Sequence, residues 1–204
     1  MKVIITGSEG LIGTQLSGFL EKDHEVIKLD LLLGHDLTDE SFVKDWFSKN
    51  KADSIVNCFA LNDHVKEGEK RGTLFEQDLQ TLSEYFQVNL VSLFSVCREF
   101  AHNNPNSSIV NFAATTGIVS ARPDLYDGAH KDIGYSISKA GVINLTKYLA
   151  THLAPEIRVN CISPGNTATP MNEDVRTEEA YSETREIISK RALSGRPFSD
   201  PKEI

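Results

Sequence analysis

Short apolar runs, each ended by glycine, proline or a polar residue, alternate along the chain with longer stretches in which apolar residues recur at helical spacing. Runs of this length are typical of buried strands, and runs without polar alternation are typical of strands covered on both faces. The predicted strands are Lys2–Thr6, Glu25–Asp30, His35–Leu37, Ser54–Ala60, Ser108–Ala113 and Arg158–Ser163.

The longer stretches predict helices, and the clearest covers Asp78–Asn103. Its apolar stripe has a period near 3.6 residues and consists of Leu82, Phe86, Leu93, Cys97 and Phe100. Asn89 lies on that stripe, where its buried amide is either a structural tie or part of a site. The other predicted helices follow Gly13, begin at an N-cap on Thr38, and cover Gly134–Leu153 and Thr177–Arg191. Strands that alternate with helices predict an α/β fold, a three-layer, doubly wound parallel sheet of the Rossmann-like type.

Composition narrows the class of protein. With 204 residues, 40% of them hydrophobic, the chain is long enough for one core, and we expect a single domain over residues 1–204. A net charge of −8 argues against a nucleic-acid partner. Cys58, Cys97 and Cys161 lie in apolar runs without metal-binding spacing, so we expect reduced thiols, no metal and a cytoplasmic protein. Without a signal peptide or an apolar run of about 18 residues, no membrane partner is expected.

The first predicted strand leads into a glycine-rich turn that contains Gly7, Gly10 and Gly13 and opens a helix. Free backbone N–H groups and the helix dipole make such a turn an anion site. Asp30 ends the second strand at the spacing of the carboxylate that binds the ribose 2′-hydroxyl of NAD and repels the 2′-phosphate of NADP. The alternative is that Asp30 is only a polar strand end. The turn therefore predicts a dinucleotide site that prefers NAD.

Tyr135 and Lys139 are four residues apart in a predicted helix, so they lie on one face about 6 Å apart. A phenol keeps its proton to about pH 10. A cation one turn away stabilises the phenolate and makes Tyr135 a usable general acid/base near neutral pH. Taken alone, this spacing favours a solvated lysine beside a half-buried tyrosine.

The position of the other motifs favours a functional role for Tyr135 and Lys139. In a parallel sheet ligands bind beyond the carboxyl ends of the strands. The residues that we expect at those ends are Gly7, Asp30, Ala60, Thr115 and Pro164. The motifs are therefore predicted to converge on one site.

With these motifs the chain resembles a short-chain dehydrogenase/reductase over nearly its whole length. Motifs that carry the resemblance are Thr6-Gly7 with Gly13, Asp36-Leu37, Asn57-Cys58-Phe59-Ala60, Asn89, Tyr135 with Lys139, Arg158-Val159-Asn160, Pro164-Gly165 and Thr169. The resemblance implies NAD contacts at Gly7, Gly10, Leu11, Ile12, Gly13, Asp30, Asp36, Leu37, Cys58, Ala60, Tyr135, Lys139, Pro164, Gly165 and Thr169. It also implies four catalytic residues. Tyr135 exchanges the substrate proton, and Lys139 lowers the pKa of Tyr135 and holds the nicotinamide ribose. Thr115 orients the substrate oxygen, and Asn89 anchors a water of the proton relay.

The chain departs from the family pattern at several positions. Its second glycine is Gly10, as in the branch that includes sugar-nucleotide epimerases, whereas compact members have it at the position of Leu11. Ala60 replaces a glycine. The family's catalytic serine aligns with Ala114, which leaves Thr115, Thr116 or no hydroxyl in its place. Residues 166–204 resemble the substrate-loop region, and the chain stops where family members continue with one more helix and a last edge strand. Either the protein has lost that strand or the sequence is incomplete at its C-terminal end, and we expect the second because the sixth strand would otherwise expose its backbone edge.

The resemblance implies an NAD-dependent oxidoreductase that interconverts a secondary alcohol and a ketone, with NADP a poorer cofactor. The Gly134–Ala150 run is similar to members linked to bacterial surface-sugar and flagellin-glycan synthesis, and we expect a small-molecule substrate, a sugar or nucleotide sugar. Two alternatives remain: a dinucleotide-binding regulatory protein without turnover, supported by Ala114, and a redox-neutral epimerase or dehydratase, supported by Gly10. Two predicted helices, Asp78–Asn103 and Gly134–Ala154, resemble those through which members pair as homodimers or homotetramers.

Overall fold

The structure is a computed structural model that describes residues 1–62, 74–121, 132–167, 186, 189–190, 192, 196, 198–200 and 203–204. Within this part of the chain, five parallel strands form one sheet in the order β2-β1-β3-β4-β5. The strands are β1 (Lys2–Thr6), β2 (Glu25–Leu29), β3 (Ser54–Asn57), β4 (Ser108–Phe112) and β5 (Arg158–Ile162). The helices are α1 (Leu11–Leu20), α2 (Glu40–Lys49), α3 (Leu79–Phe86), α4 (Leu93–Asn103) and α5 (Ile133–Leu153).

Helices cover both faces of the sheet, as the apolar strand runs predict. On one face Ile4, Ile55, Ile109 and Val159 pack against α2, α4 and α5, and on the other Val3, Ile5 and Val56 pack against α1. Register places the carboxyl ends of the strands at one level, because Thr6 pairs with both Leu29 and Asn57, and Asn57 pairs with Asn111. The predicted three-layer α/β fold is confirmed.

The prediction of a strand at His35–Leu37 is wrong, so the described sheet has five strands rather than six. Asp30 caps a 3₁₀ turn over Leu31–Leu33 through its side chain, and Gly34 follows with a φ of +85°. These local bonds turn the chain away from β2. Leu37 then inserts into the core instead of pairing with a strand.

The N-cap of α2 is Asp39 and not Thr38, contrary to the sequence prediction. The Asp39 carboxylate accepts from Ser41 N and Phe42 N. Thr38 instead donates its N–H and its hydroxyl to Asp36 Oδ1. An aspartate at each end of this turn therefore competes successfully with the threonine hydroxyl for the cap.

The helix predicted over Asp78–Asn103 is divided by a π-helical turn at Gln87–Ser92 between α3 and α4. The wider turn rotates the buried side of the helix relative to a uniform period of 3.6 residues. Tyr85 is consequently fully buried where the stripe predicts Phe86. Val142 of α5 is also fully buried, and Leu90 packs against Gly141.

Cys58, Cys97 and Cys161 are free thiols. Among the described residues, no helix combines the length and the apolar character needed to cross a bilayer. Thr169 and most of the substrate-loop region, residues 166–204, lie outside the described residues. Of the predicted helix at Thr177–Arg191 the structure describes only residues 186, 189 and 190, which are helical.

Candidate active site

The glycine-rich turn is closed by contacts that admit no side chain. Gly7 has a φ of +67°, and a Cβ atom there would lie 2.4 Å from Phe59 N. A Cβ atom on Gly13 would lie 2.1 Å from Gly7 O. Gly10 is the N-cap of α1 and makes no side-chain capping bond. The first N–H groups of α1 therefore face the turn without a side-chain cap, which suits a phosphate.

Asp30 joins the glycine turn to the segment after β2. Its Oδ2 accepts from Glu9 N at 3.0 Å and its Oδ1 accepts from Leu32 N at 2.9 Å. A carboxylate has about four acceptor positions, so these two bonds leave capacity for the hydroxyls of a ribose. Sequence reasoning identified Asp30 but missed Glu9, because the contribution of Glu9 is a backbone N–H that no side-chain pattern reveals.

Asp36 and Leu37 follow this segment. The hydrogen bonds from Thr38 hold the pKa of Asp36 below its ordinary value. The side chain of Leu37 is buried in the core, so only its backbone is placed to contact a ligand.

Cys58, Phe59 and Ala60 lead the chain out of β3 beside Gly7. Cys58 N donates to Thr6 O, and the backbone of Phe59 is the surface against which Gly7 packs. Burial raises the pKa of the Cys58 thiol to about 12, so the sulfur stays protonated and is a poor nucleophile. Ala60 is exposed at the edge of the sheet.

Asn89 lies in the π-helical turn, and its amide is hydrogen-bonded to two other segments of the protein. Its Oδ1 accepts from Leu61 N at 2.7 Å, and its Nδ2 donates to Leu61 O and to Ser138 Oγ, each at 3.0 Å. Ser138 in turn donates to Tyr135 O. Asn89 therefore ties the segment after β3 to the first turns of α5. Ser138 was missed, although its place between Tyr135 and Lys139 puts it near their face of the helix.

Lys139 is buried, with 4% of its surface exposed. Its Nζ donates to Phe112 O at 2.7 Å, the only hydrogen bond that it makes to residues 1–62, 74–121 and 132–167. Burial lowers the pKa of Lys139 to about 8. Phe112 was not predicted, because the contact is made by a backbone carbonyl.

Tyr135 is half-buried one turn before Lys139. Its ring packs edge-on against Tyr85, and Lys139 Nζ lies 5.7 Å from the ring centre. The lysine cation therefore lies beside the Tyr135 ring, and because Lys139 is buried its electrostatic effect on a phenolate is stronger than it would be in water.

A 3₁₀ turn at Thr115–Gly117 continues β4 across α5. A Cβ atom on Gly117 would lie 2.7 Å from the backbone of Lys139, so the turn rests directly on the helix. Ala114 is buried and carries no hydroxyl, whereas Thr115 is exposed. The hydroxyl of Thr116 is buried and has no hydrogen-bond partner within the part of the chain that the structure describes.

Pro164 and Gly165 follow β5 and lie against Thr115. Thr115 N donates to Pro164 O at 2.9 Å, and the Thr115 methyl group is 3.8 Å from the position of a Cβ atom on Gly165. The carboxyl edge of the sheet thus brings together the glycine turn, Asp30, the Cys58–Ala60 segment and the Thr115 turn over Lys139. Thr169 lies outside the described residues.

Comparison with known proteins places the chain among dehydrogenases. Residues 13–204 match the sequence model of a family described as enoyl-(acyl carrier protein) reductase. The chain is 34% identical over 222 residues to an uncharacterized short-chain type dehydrogenase/reductase, y4vI, of Sinorhizobium fredii, an alignment that covers 99% of this chain and 38% of that protein. It is 28% identical over 221 residues to D-xylose 1-dehydrogenase of Caulobacter vibrioides, which covers 96% of this chain and 82% of the relative.

A third relative is 3-oxoacyl-[acyl-carrier-protein] reductase FabG of Thermotoga maritima, 36% identical over 121 residues, with 57% of this chain and 44% of the relative covered. The chain therefore spans about two fifths of the length of y4vI and of FabG.

Two solved structures share the fold. A short chain dehydrogenase from Leptospira borgpetersenii with bound NAD⁺ superposes with a TM-score of 0.79 at 23% identity, and 99% of this chain and 81% of that one are covered. A small-chain dehydrogenase in complex with NADPH superposes with a TM-score of 0.77 at 21% identity, and 100% of this chain and 87% of that one are covered.

Proposed function

This chain belongs to the short-chain dehydrogenase/reductase family, and from that premise we propose that it is an NAD-dependent oxidoreductase that interconverts a secondary alcohol and a ketone. The observation that carries the proposal is Lys139, a buried cation beside the Tyr135 ring, at the edge of the sheet that also holds the glycine turn. A buried ammonium with one carbonyl partner among the described residues is costly unless it serves a ligand or a charged intermediate.

The residues fit a nicotinamide dinucleotide, because the close contacts at Gly7 and Gly13 leave a backbone cradle at the N-terminus of α1. When bound, the nicotinamide supplies hydride chemistry. Tyr135 exchanges a proton with the substrate oxygen, and the Lys139 charge stabilises its phenolate. Phe112 O takes one of the three ammonium donors, which leaves two for the ribose hydroxyls.

The proton leaves the site by a water held near Asn89. Because both N–H donors of the Asn89 amide are taken by Leu61 O and Ser138 Oγ, and its oxygen already accepts from Leu61 N, we assign the water to the main chain of the π-helical turn rather than to the side chain. A π-helical turn shifts the pattern of backbone hydrogen bonds and leaves a carbonyl available for such a contact.

Asp30 supports NAD as the preferred cofactor. Its carboxylate lies within hydrogen-bond distance of the glycine turn, where a 2′-phosphate would bring two like charges together. Thr115 is proposed to orient the substrate oxygen in place of the serine that Ala114 replaces. Its exposed side chain faces the open edge, whereas the Thr116 hydroxyl is buried.

We propose that the substrate is a sugar or nucleotide sugar. We also propose that the protein belongs to the branch linked to bacterial surface-sugar and flagellin-glycan synthesis and is cytoplasmic. The support is the similarity to D-xylose 1-dehydrogenase and the resemblance of the α5 sequence to that branch. Hydroxyl-rich substrates also suit an acid/base pair that acts on a secondary alcohol.

The decisive experiment follows NADH absorbance over a panel of polyols, sugars and nucleotide sugars with three proteins: wild type, Tyr135→Phe and Tyr148→Phe. Tyr148 lies on the same helix but is exposed, so it controls for the loss of one phenol. We expect turnover by wild type and Tyr148→Phe and a loss of about 10²-fold or more in Tyr135→Phe. Equal activity in the two variants would contradict the role of Tyr135.

Ala114 favours a second candidate, a dinucleotide-binding protein without turnover. Such a protein would bind NADH but show no activity on the panel. Its Tyr135→Phe variant would bind NADH as well as the wild type does. A redox-neutral epimerase or dehydratase, which Gly10 favours, would instead convert substrate without a net change in NADH absorbance.

We propose that the chain forms homodimers or homotetramers through α4 and α5. Val91, Phe94 and Ile137 are exposed apolar side chains on this part of the surface. Sedimentation of Phe94→Glu, with Phe19→Glu on the exposed side of α1 as the control, tests the proposal. A change in mass for Phe94→Glu alone is expected, and unchanged mass in both would contradict it.

A further inference from the structure

Two consecutive residues of β4 hold α5 at two points. Lys139 Nζ donates to Phe112 O at 2.7 Å, and Asn111 Nδ2 donates to Thr146 Oγ1 at 3.0 Å. Thr146 follows Lys139 by about two helical turns, so both side chains lie on the side of α5 that faces the sheet. Two contacts of fixed length on one strand define both the rotation of the helix and its position along its axis.

The second point is part of a chain of buried hydrogen bonds that crosses the sheet. Thr6 Oγ1 donates to Asn57 Oδ1 at 3.0 Å, and Asn57 Nδ2 donates to Asn111 Oδ1 at 2.9 Å. Asn111 then donates to Thr146, whose hydroxyl donates to Val142 O at 2.8 Å. Thr6, Asn57, Asn111 and Thr146 are at most 5% exposed.

This chain has a single direction, because each amide uses its oxygen as acceptor and its nitrogen as donor. Thr6, Asn57 and Asn111 share one level of strand register, and Thr6 is the last residue before the glycine turn. The helix that carries Tyr135 and Lys139 is therefore connected through three strands to the turn that faces a phosphate. Such a network is sensitive to the loss of any member, since a buried amide is then left unpaired.

We propose that Thr146 is a positioning residue: its hydroxyl, held by Asn111, sets the place of the Lys139 ammonium at the carboxyl edge of the sheet. The inference rests on the proposed role of Lys139 in holding the cofactor. Valine has nearly the shape of threonine, so the difference between the two residues at this position is the hydroxyl that bonds Asn111 and Val142 O.

The test measures the dissociation constant of NADH by fluorescence from about pH 6 to about pH 10. Thr146→Val removes the hydroxyl, Thr146→Ser retains it, and Lys139→Met provides the reference for loss of the cation. Thr151→Val is the matched control, because Thr151 also bonds a carbonyl of α5, Tyr148 O, but is exposed, and within the described residues its hydroxyl bonds only groups of α5.

We expect Thr146→Val to weaken NADH binding roughly tenfold and to move the midpoint at which binding is lost at high pH downward by about half a unit. The midpoint falls because an ammonium that is held less firmly by Phe112 O loses a bond to its charged form. Thr146→Ser should restore most of both effects, and Thr151→Val should match wild type.

Wild-type affinity and midpoint in Thr146→Val would overturn the inference, whatever its melting temperature. An affinity lowered equally at every pH, with no change of midpoint, would reduce Thr146 to a structural role and also overturn it. If Thr146→Val does not fold, Thr146→Ala is judged by the same criteria. Unchanged NADH binding in Lys139→Met would identify a different failure, that of the cofactor-holding role itself, and the inference would fall with it.

Discussion

The glycine turn and the Tyr135/Lys139 helix serve the same edge of the sheet but are held in different ways. At the turn, backbone lies directly on backbone, and the available space at Gly7 and Gly13 is smaller than a methyl group. At the helix, hydrogen bonds fix the position, because Lys139 and Thr146 are bonded to consecutive residues of β4. A steric contact admits no substitution, whereas a hydrogen-bonded one tolerates any residue that keeps the bond.

The largest effect is expected at the turn. Gly13→Ala would place a methyl group 2.1 Å from Gly7 O, so the turn must open. We expect a loss of about 3 kcal/mol or more in the free energy of unfolding, with loss of NADH binding. Gly18→Ala in the same helix meets nothing within 4 Å and should raise stability by about 0.5–1 kcal/mol. Similar denaturation midpoints for the two variants would contradict the steric account.

Lys139→Met should change how stability depends on pH. The pKa of Lys139 is about 8 in the folded protein and lower than the ordinary value of 10.5, so the unfolded chain binds more protons between these values. The wild-type free energy of unfolding should therefore rise between pH 8 and 10.5, on the order of 3 kcal/mol, relative to Lys139→Met. Below pH 8 the difference should be constant. Urea denaturation of the two proteins across this pH range measures the difference. A difference in the free energy of unfolding that does not change with pH would show that Lys139 is not desolvated.

The smallest effect is expected at Asp30, whose carboxylate is held by hydrogen bonds from the backbone of Glu9 and of Leu32. Asp30→Asn keeps an acceptor for the backbone but removes the charge, so the preference for NADH over NADPH should fall about tenfold. Asp23→Asn makes the same change in net charge at an exposed turn before β2 and should leave the preference unchanged. The test is the ratio of the dissociation constants of NADH and NADPH, measured for the wild type and both variants. An unchanged ratio in Asp30→Asn would mean that this carboxylate does not select the cofactor.

Prediction from the sequence succeeded where the determinant is local. Gly7 and Gly13 are recognisable because a strand, a tight turn and a helix follow one another within one short segment. It failed where two local signals competed, as at Thr38 and Asp39, or where the helical period itself changed, as between Tyr85 and Phe86 across the π-helical turn. In both cases the competing arrangements offer the chain similar hydrogen bonds, so a residue pattern alone does not distinguish them.

By itself the sequence determined the alternation of strands and helices, the glycine turn with Asp30 after it, and the spacing of Tyr135 and Lys139. These features depend on residues that are close in the chain and on periodicities of the backbone. Only the tertiary structure decided what Lys139 contacts, where the Asn89 amide points, and that Thr6, Asn57, Asn111 and Thr146 form one chain of hydrogen bonds. Those partners are far apart in sequence, and several are backbone groups that every residue carries, so only packing can select them.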